Sequence, residues 1–187
     1  EIIPIEPDAG NAAAGIASTI VMVCEAVSIP YRLFKYANRG TSANDNSMRY
    51  LCVLTIAGSD SCGGAGVQAD IKTMSALGVY AASAITSVTV QNTLGVKAIQ
   101  AIEPAIVAGQ IKAVMDDVKP VAIKIGMVND CATIHAIADS LSSYSPSTLV
   151  VDPVMVSTSG SMLMQRDALE VFCSELLPMA TLLTPNI

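Results

Sequence analysis

Residues 51–70 read LCVLTIAGSDSCGGAGVQAD, from Leu51 to Asp70. Leu51 to Ala57 is an apolar run of strand length, and a glycine-rich loop follows it. From Val67 to Leu77 apolar residues recur at helical spacing until Gly78 stops them. Strand, loop and helix in that order begin a βαβ unit. Within the loop, Gly64-x-Gly66-x-x-Ala69 looks like a dinucleotide-binding fingerprint, which needs an acid about 20 residues further on to hold a ribose hydroxyl. No Asp or Glu stands between Asp70 and Glu103, and Gln91 occupies the end of the next strand. No Gly-Lys-Ser/Thr follows the glycines, so a phosphate loop of the Walker type is excluded as well. Two readings remain: a turn that brings backbone close to a ligand, or simply the first turn of a helix with Asp70 near its positive end.

The pattern continues outward from this stretch. Ala84–Val90 reads as a second strand, Pro104–Val118 as a helix with proline at its start, and Val121–Ile125 as a third strand. Asp130–Leu141 is a helix with an acidic cap, and strands at 148–151 and 180–183 flank a helix at 166–177. Five apolar strands separated by helices predict an α/β fold: a doubly wound, mostly parallel sheet with helices on both faces. There is no internal repeat. Ligands of such sheets bind outside the carboxyl ends of the strands. Those ends carry Gly58-Ser59-Asp60, Gln91-Asn92, Gly126-Met127, Asp152-Pro153 and Thr184-Pro185-Asn186. Polar residues also mark turns, so no single position decides the matter, but four of the five ends offer hydrogen-bonding side chains to one rim.

Composition limits the partners. With 187 residues, 52% apolar and 14% charged, the chain can bury one sizeable core. A net charge of −6 speaks against a general affinity for nucleic-acid phosphates and for a small-molecule partner. Five cysteines, at 24, 52, 62, 131 and 173, form no Cys-x-x-Cys pair and read as reduced thiols of a cytoplasmic protein rather than a zinc site or disulfide framework. His135, the only histidine, sits in a helical run and reads as a surface or packing residue. Residues 1–47 differ from the rest: Ala9–Ile29 is small and apolar with Arg32, Lys35 and Arg39 behind it. A membrane span there ranks below a surface helix or an extension, because Glu25, Asn11 and the alanine-rich composition weaken it. Thr41–Ser47 reads as a linker, and the organised domain begins at Met48. Lys124 lies in an otherwise apolar strand and receives no role from the sequence.

The segment AGSDSCGGAGVQADIK, residues 57–72, closely resembles the signature of the hydroxymethylpyrimidine and phosphomethylpyrimidine kinases of thiamine biosynthesis, in the ribokinase-like superfamily. Thr86–Asn92 with Gly95-Val96, Lys124–Met127, Val151–Met155 and Leu183–Asn186 follow in that family's order and spacing. The resemblance covers residues 48–187 and leaves 1–47 outside it.

The resemblance implies transfer of the γ-phosphoryl of ATP, with Mg2+, to 4-amino-5-hydroxymethyl-2-methylpyrimidine and then to its monophosphate. It implies that Gln91, Asp70, Ala65, Met127 and Val154 bind the pyrimidine. An aminopyrimidine presents a ring-nitrogen acceptor beside an amino donor, and the Gln91 amide can meet both. Asp70 would accept a further hydrogen bond, and Ala65, Met127 and Val154 would wall the ring. Thr89 stands where the family often has valine. Asp152 and Asn186 fall at the nucleotide end, Asp152 acting on magnesium through water. The family's anion-hole helix and its base would lie beyond Ile187, so no catalytic residue is expected in this chain, which would then be inactive as a fragment. Two alternatives stay open: a pyridoxal or pyridoxine kinase of the same superfamily, and a pyrimidine-binding fragment without turnover. A homo-oligomer is compatible with the sequence.

Overall fold

The computed structural model of the chain describes residues 51–155 and 163–185. The readings of an N-terminal extension, of a membrane span at 9–29 and of Asn186 at the nucleotide end fall outside the described residues.

Six strands form one sheet. They are β1 (Cys52–Asp60), β2 (Tyr80–Asn92), β3 (Gly95–Ala101), β4 (Ala122–Ile125), β5 (Leu149–Val151) and β6 (Leu182–Leu183), in the order β3-β2-β1-β4-β5-β6. All neighbours are parallel except β2 and β3. The helices are α1 (Gly66–Ala76), α2 (Pro104–Asp117), α3 (Cys131–Ser142) and α4 (Ala168–Val171), the last continuing through a π turn at Phe172–Leu176 and a 3-10 turn at Leu177–Met179. The chain leaves the central β1 first to β2 on one side and later to β4 on the other. The crevice between the ends of β1 and β4 is therefore the switch point of the sheet, where such folds bind ligands.

Alternation along the central strands sorts side chains between two cores. Leu54, Ile56, Ile123, Ile125, Leu149 and Val151 face α2, α3 and α4, where Val107, Ile111, Ile134, Ile137 and Phe172 cover them. Each fully buried aliphatic side chain contributes about 1.5–3 kcal/mol. Val53, Ala122 and Val150 face the other way, against Met74 of α1 and Val79. Continuing that second face by two residues along each strand reaches Thr55, Lys124 and Asp152. All three are buried.

The structure adds a strand that the sequence pattern does not disclose. β3 pairs antiparallel with β2, and Asn92 Oδ1 accepts from the Leu94 amide at 3.0 Å in the turn between them. Every β3 residue is exposed or half-buried, so its sequence shows no alternation of apolar and polar residues. β2 runs for 13 residues, longer than the expected 84–90, because its far half is held by β3 rather than by the core. The cap on α3 is as expected: Asp130 Oδ1 accepts from the Thr133 amide at 2.9 Å. Cys52, Cys62, Cys131 and Cys173 are free thiols.

Candidate functional site at the carboxyl ends of the strands

The glycine-rich loop leaves β1 and turns back on itself. The Asp60 carboxylate accepts hydrogen bonds from three loop amides, those of Cys62 at 2.8 Å, Gly64 at 2.9 Å and Ala65 at 2.8 Å. A ring of converging backbone amides is the usual cradle for a phosphate, and here a side-chain carboxylate fills it. The amides of Cys62, Gly64 and Ala65 are thus satisfied within the chain. Gln68 locks the base of the loop: its Oε1 accepts from the Asp60 amide at 2.8 Å and its Nε2 donates to Ser59 Oγ at 2.7 Å. Gly66 opens α1 at φ +57°, and a Cβ there would lie 2.1 Å from the Gly58 carbonyl oxygen. Only glycine permits that approach.

Gln91 stands at the end of β2, joined to the loop by a reciprocal pair. Ser61 Oγ donates to the Gln91 carbonyl at 2.8 Å and accepts from the Gln91 amide at 2.9 Å. The Thr89 hydroxyl donates to the Ser59 carbonyl at 3.0 Å and lies 3.2 Å from Gln91 Oε1. One proton cannot serve both oxygens, and the amide's N and O are alike in shape, so the exchanged orientation, with Gln91 Nε2 donating to Thr89, satisfies both residues. In either orientation Thr89 fixes the amide in place and leaves its remaining donor and acceptor free at the rim. Thr89 is thus the side chain that holds the Gln91 amide.

Met127 follows β4 and is pinned by Thr86 Oγ1, which donates to its carbonyl at 2.9 Å. Its thioether crosses Gly58 so closely that a Cβ on that glycine would be 2.4 Å from Met127 Cε. Ala65, the residue preceding α1, and Val154, beyond β5, are both half-buried. Ala65, Gln91, Met127 and Val154 therefore stand on one rim, from β1, β2, β4 and β5 in turn.

Asp70 departs from its expected role. Its carboxylate is fully buried under the sheet, where Thr55 Oγ1 donates to Oδ2 and Lys124 Nζ lies 3.2 and 3.1 Å from its two oxygens. α1 starts one turn before Asp70 and packs on β1, which carries the acid inward, away from any exposed surface. Lys124 itself is 3% exposed. Its ammonium is 3.9 Å from Asp152 Oδ2, at the end of β5. Burial pushes the Asp152 carboxyl above the ordinary carboxylate range, Lys124 opposes the shift, and Asp70 adds to it.

The described residues include no cluster of three or more His, Cys, Asp or Glu placed to hold a metal ion. Asp152 is one carboxylate facing an ammonium, which disfavours direct ligation of a divalent cation. It fits an outer-sphere role, through the waters that magnesium keeps. A cavity of about 480 Å³ lies elsewhere, between β3 and the segment after β5, lined by Ile99, Ala101, Asn129, Asp130, Leu163 and Met164 among others. It contains none of the residues above. Among the described residues no helix is long and apolar enough to cross a membrane.

The sheet order and the switch-point crevice define a doubly wound α/β protein with one antiparallel edge strand. Among solved structures, phosphomethylpyrimidine kinase from Clostridium difficile is 49% identical, with a TM-score of 0.68 over 71% of this chain and 58% of that chain. Pyridoxal kinase of Bacillus subtilis is 31% identical, with a TM-score of 0.64 over 73% of this chain and 50% of that one. The hydroxymethylpyrimidine/phosphomethylpyrimidine kinase of Rhizobium meliloti is 54% identical over 134 residues, 72% of this chain and 50% of that protein. The family model for phosphomethylpyrimidine kinase matches residues 60–187, and the chain belongs to that family. It spans about half the length of the curated relatives it matches.

The sequence named Gln91, Met127, Ala65, Val154 and Asp152, and noted Asp60 and Thr89 without the contacts they make, but it passed over Ser61 and the pairing of Lys124 with Asp70 and Asp152. A signal for the last was present. Thr55 and Lys124 interrupt fully buried, otherwise apolar strand cores, and a buried polar group requires a partner.

Proposed function

We propose that the protein phosphorylates 4-amino-5-hydroxymethyl-2-methylpyrimidine, and then the resulting monophosphate, with ATP. The observation that carries this reading is the Gln91 side-chain amide, held by Thr89 while Ser61 holds the Gln91 backbone, with a donor and an acceptor free at the rim. An aminopyrimidine edge offers the matching acceptor and donor. Ala65, Met127 and Val154 supply apolar surface for the ring. Hydroxymethyl oxygen and γ-phosphorus form the new bond, ADP departs, and the hydroxymethyl proton is released. Such a transfer depends on positioning and charge neutralisation. Magnesium bound with the nucleotide would neutralise phosphate charge, and Asp152 would hold its water shell. The loop amides take no part in phosphate binding, since Asp60 occupies them.

The likeness to pyridoxal kinase supports a second reading with a pyridine substrate. Assay of the full gene product by ADP release separates the two. Turnover with the hydroxymethylpyrimidine and not with pyridoxal supports the first, and the reverse preference replaces it with the second. Binding of the pyrimidine without ADP release would make the site a binding module.

A further inference from the structure

Three charges lie buried behind the rim, and two of them belong to no step so far. Asp70, Lys124 and Asp152 are 0%, 3% and 5% exposed. Alternation along β1, β4 and β5 places Thr55, Lys124 and Asp152 on the face that α1 covers, and α1 brings Asp70 to the same place. Lys124 directs two of its three N–H groups to the Asp70 oxygens, at 3.1 and 3.2 Å, and Thr55 Oγ1 donates to Asp70 as well. The ammonium is thereby fixed. A Cβ on Gly126 would meet it at 2.8 Å, so Lys124 Nζ lies against Gly126, the residue before Met127 of the rim.

Asp152 is the unbalanced member. With two carboxylates and one ammonium the cluster has a net charge of −1, and burying an uncompensated charge costs several kcal/mol. Asp70 and Lys124 already balance each other, so stability alone would favour a neutral residue at 152. Among the described residues Lys124 is the only cation within salt-bridge distance of Asp152, at 3.9 Å and without a hydrogen bond. That spacing attracts the carboxylate and leaves its lone pairs for other donors.

We propose that Lys124 is a positioning residue: anchored by Asp70 and Thr55, its ammonium holds the Asp152 carboxylate at the phosphate end of the site, and Asp70 serves the reaction through Lys124 without touching the pyrimidine. This inference rests on the kinase reading above. It gives Asp70 a place in phosphoryl transfer, not in recognition.

The test uses the full gene product. Lys124→Met alone strands the Asp70 charge and destabilises the fold, so the informative variant is Lys124→Met with Asp70→Asn, which removes both charges and keeps the Thr55 hydrogen bond. The melting temperature of this double variant should stay close to the wild type, and its pyrimidine Kd, measured by calorimetry without nucleotide, within about threefold. Its kcat should fall roughly tenfold or more. In an Asp152→Asn background the same pair of changes should have little further effect on kcat, because the two act as one unit. A double variant with wild-type kcat would overturn the proposal, as would a tenfold weaker pyrimidine Kd or a kcat loss undiminished in the Asp152→Asn background. If the wild type turns over pyridoxal alone, the substrate reading fails, and the same cycle run with pyridoxal still decides the role of Lys124.

Discussion

In the proposed reading Gln91 serves recognition and Asp152 serves transfer, and each can be tested singly. Changing Gln91→Leu removes the free donor and acceptor while keeping volume, leaving the pyrimidine edge unpaired. The expected loss in pyrimidine affinity is about 1–3 kcal/mol, read by calorimetry. Unchanged affinity would remove Gln91 from recognition. Asp152→Asn should act oppositely on stability and activity. A carboxyl whose folded pKa is raised keeps its proton at pH values where the unfolded chain has lost it. Its stabilising contribution is complete below the unfolded pKa and is lost as pH rises through the folded one. Above the unfolded pKa Asp152 therefore costs stability, and Asp152→Asn should raise Tm at neutral pH while lowering turnover far more than pyrimidine affinity. A fall in Tm would show that Asp152 is needed for folding.

At the scale of elements, the passage from β1 through the glycine-rich loop into α1 is fixed by its own hydrogen bonds. Ser59 bridges to Gly66 where the loop folds back, and Asp60 gathers the loop amides behind it. Gly66→Ala would add a Cβ 2.1 Å from the Gly58 carbonyl at a positive φ. The backbone must then shift, with an expected cost of about 2 kcal/mol or more in chemical denaturation and a parallel loss of pyrimidine binding. Retention of both would mean that the loop adjusts without moving the rim. By contrast, Gly109 has no heavy atom within 4 Å of its would-be Cβ, and Gly109→Ala on α2 should stabilise the helix by about 0.5–1 kcal/mol.

For the molecule as a whole, the paired β2 and β3 leave apolar side chains in water: Val88, Val90, Leu94 and Ile99 are 45%, 58%, 85% and 36% exposed. Val88 and Val90 share one face of the β2–β3 ribbon and Ile99, opposite Thr89, lies on the other; apolar surface exposed on a sheet edge favours self-association. Light scattering of the chain should show a mass above that of the monomer, and Val90→Lys with Ile99→Lys should lower it. A monomer in both cases would leave these residues as ordinary exposed side chains.

The sequence alone determined the α/β class, the order of the helices and of five of the six strands, and the rim residues, because each of those is a local pattern: apolar runs, helical spacing, polar residues at strand ends. Gln91, Met127 and Asp152 were legible for that reason. It could not disclose β3, whose residues bury no face and so carry no alternation. Nor could it pair Asp60 with the loop amides or turn Asp70 inward to Lys124. Those outcomes depend on which face α1 covers and on the register of β1, β4 and β5, which set Thr55 beside Lys124 and bring Asp152 within 3.9 Å of it. Contacts between residues 54 positions apart, as Asp70 and Lys124 are, leave no local periodicity to read, and only tertiary packing decides them.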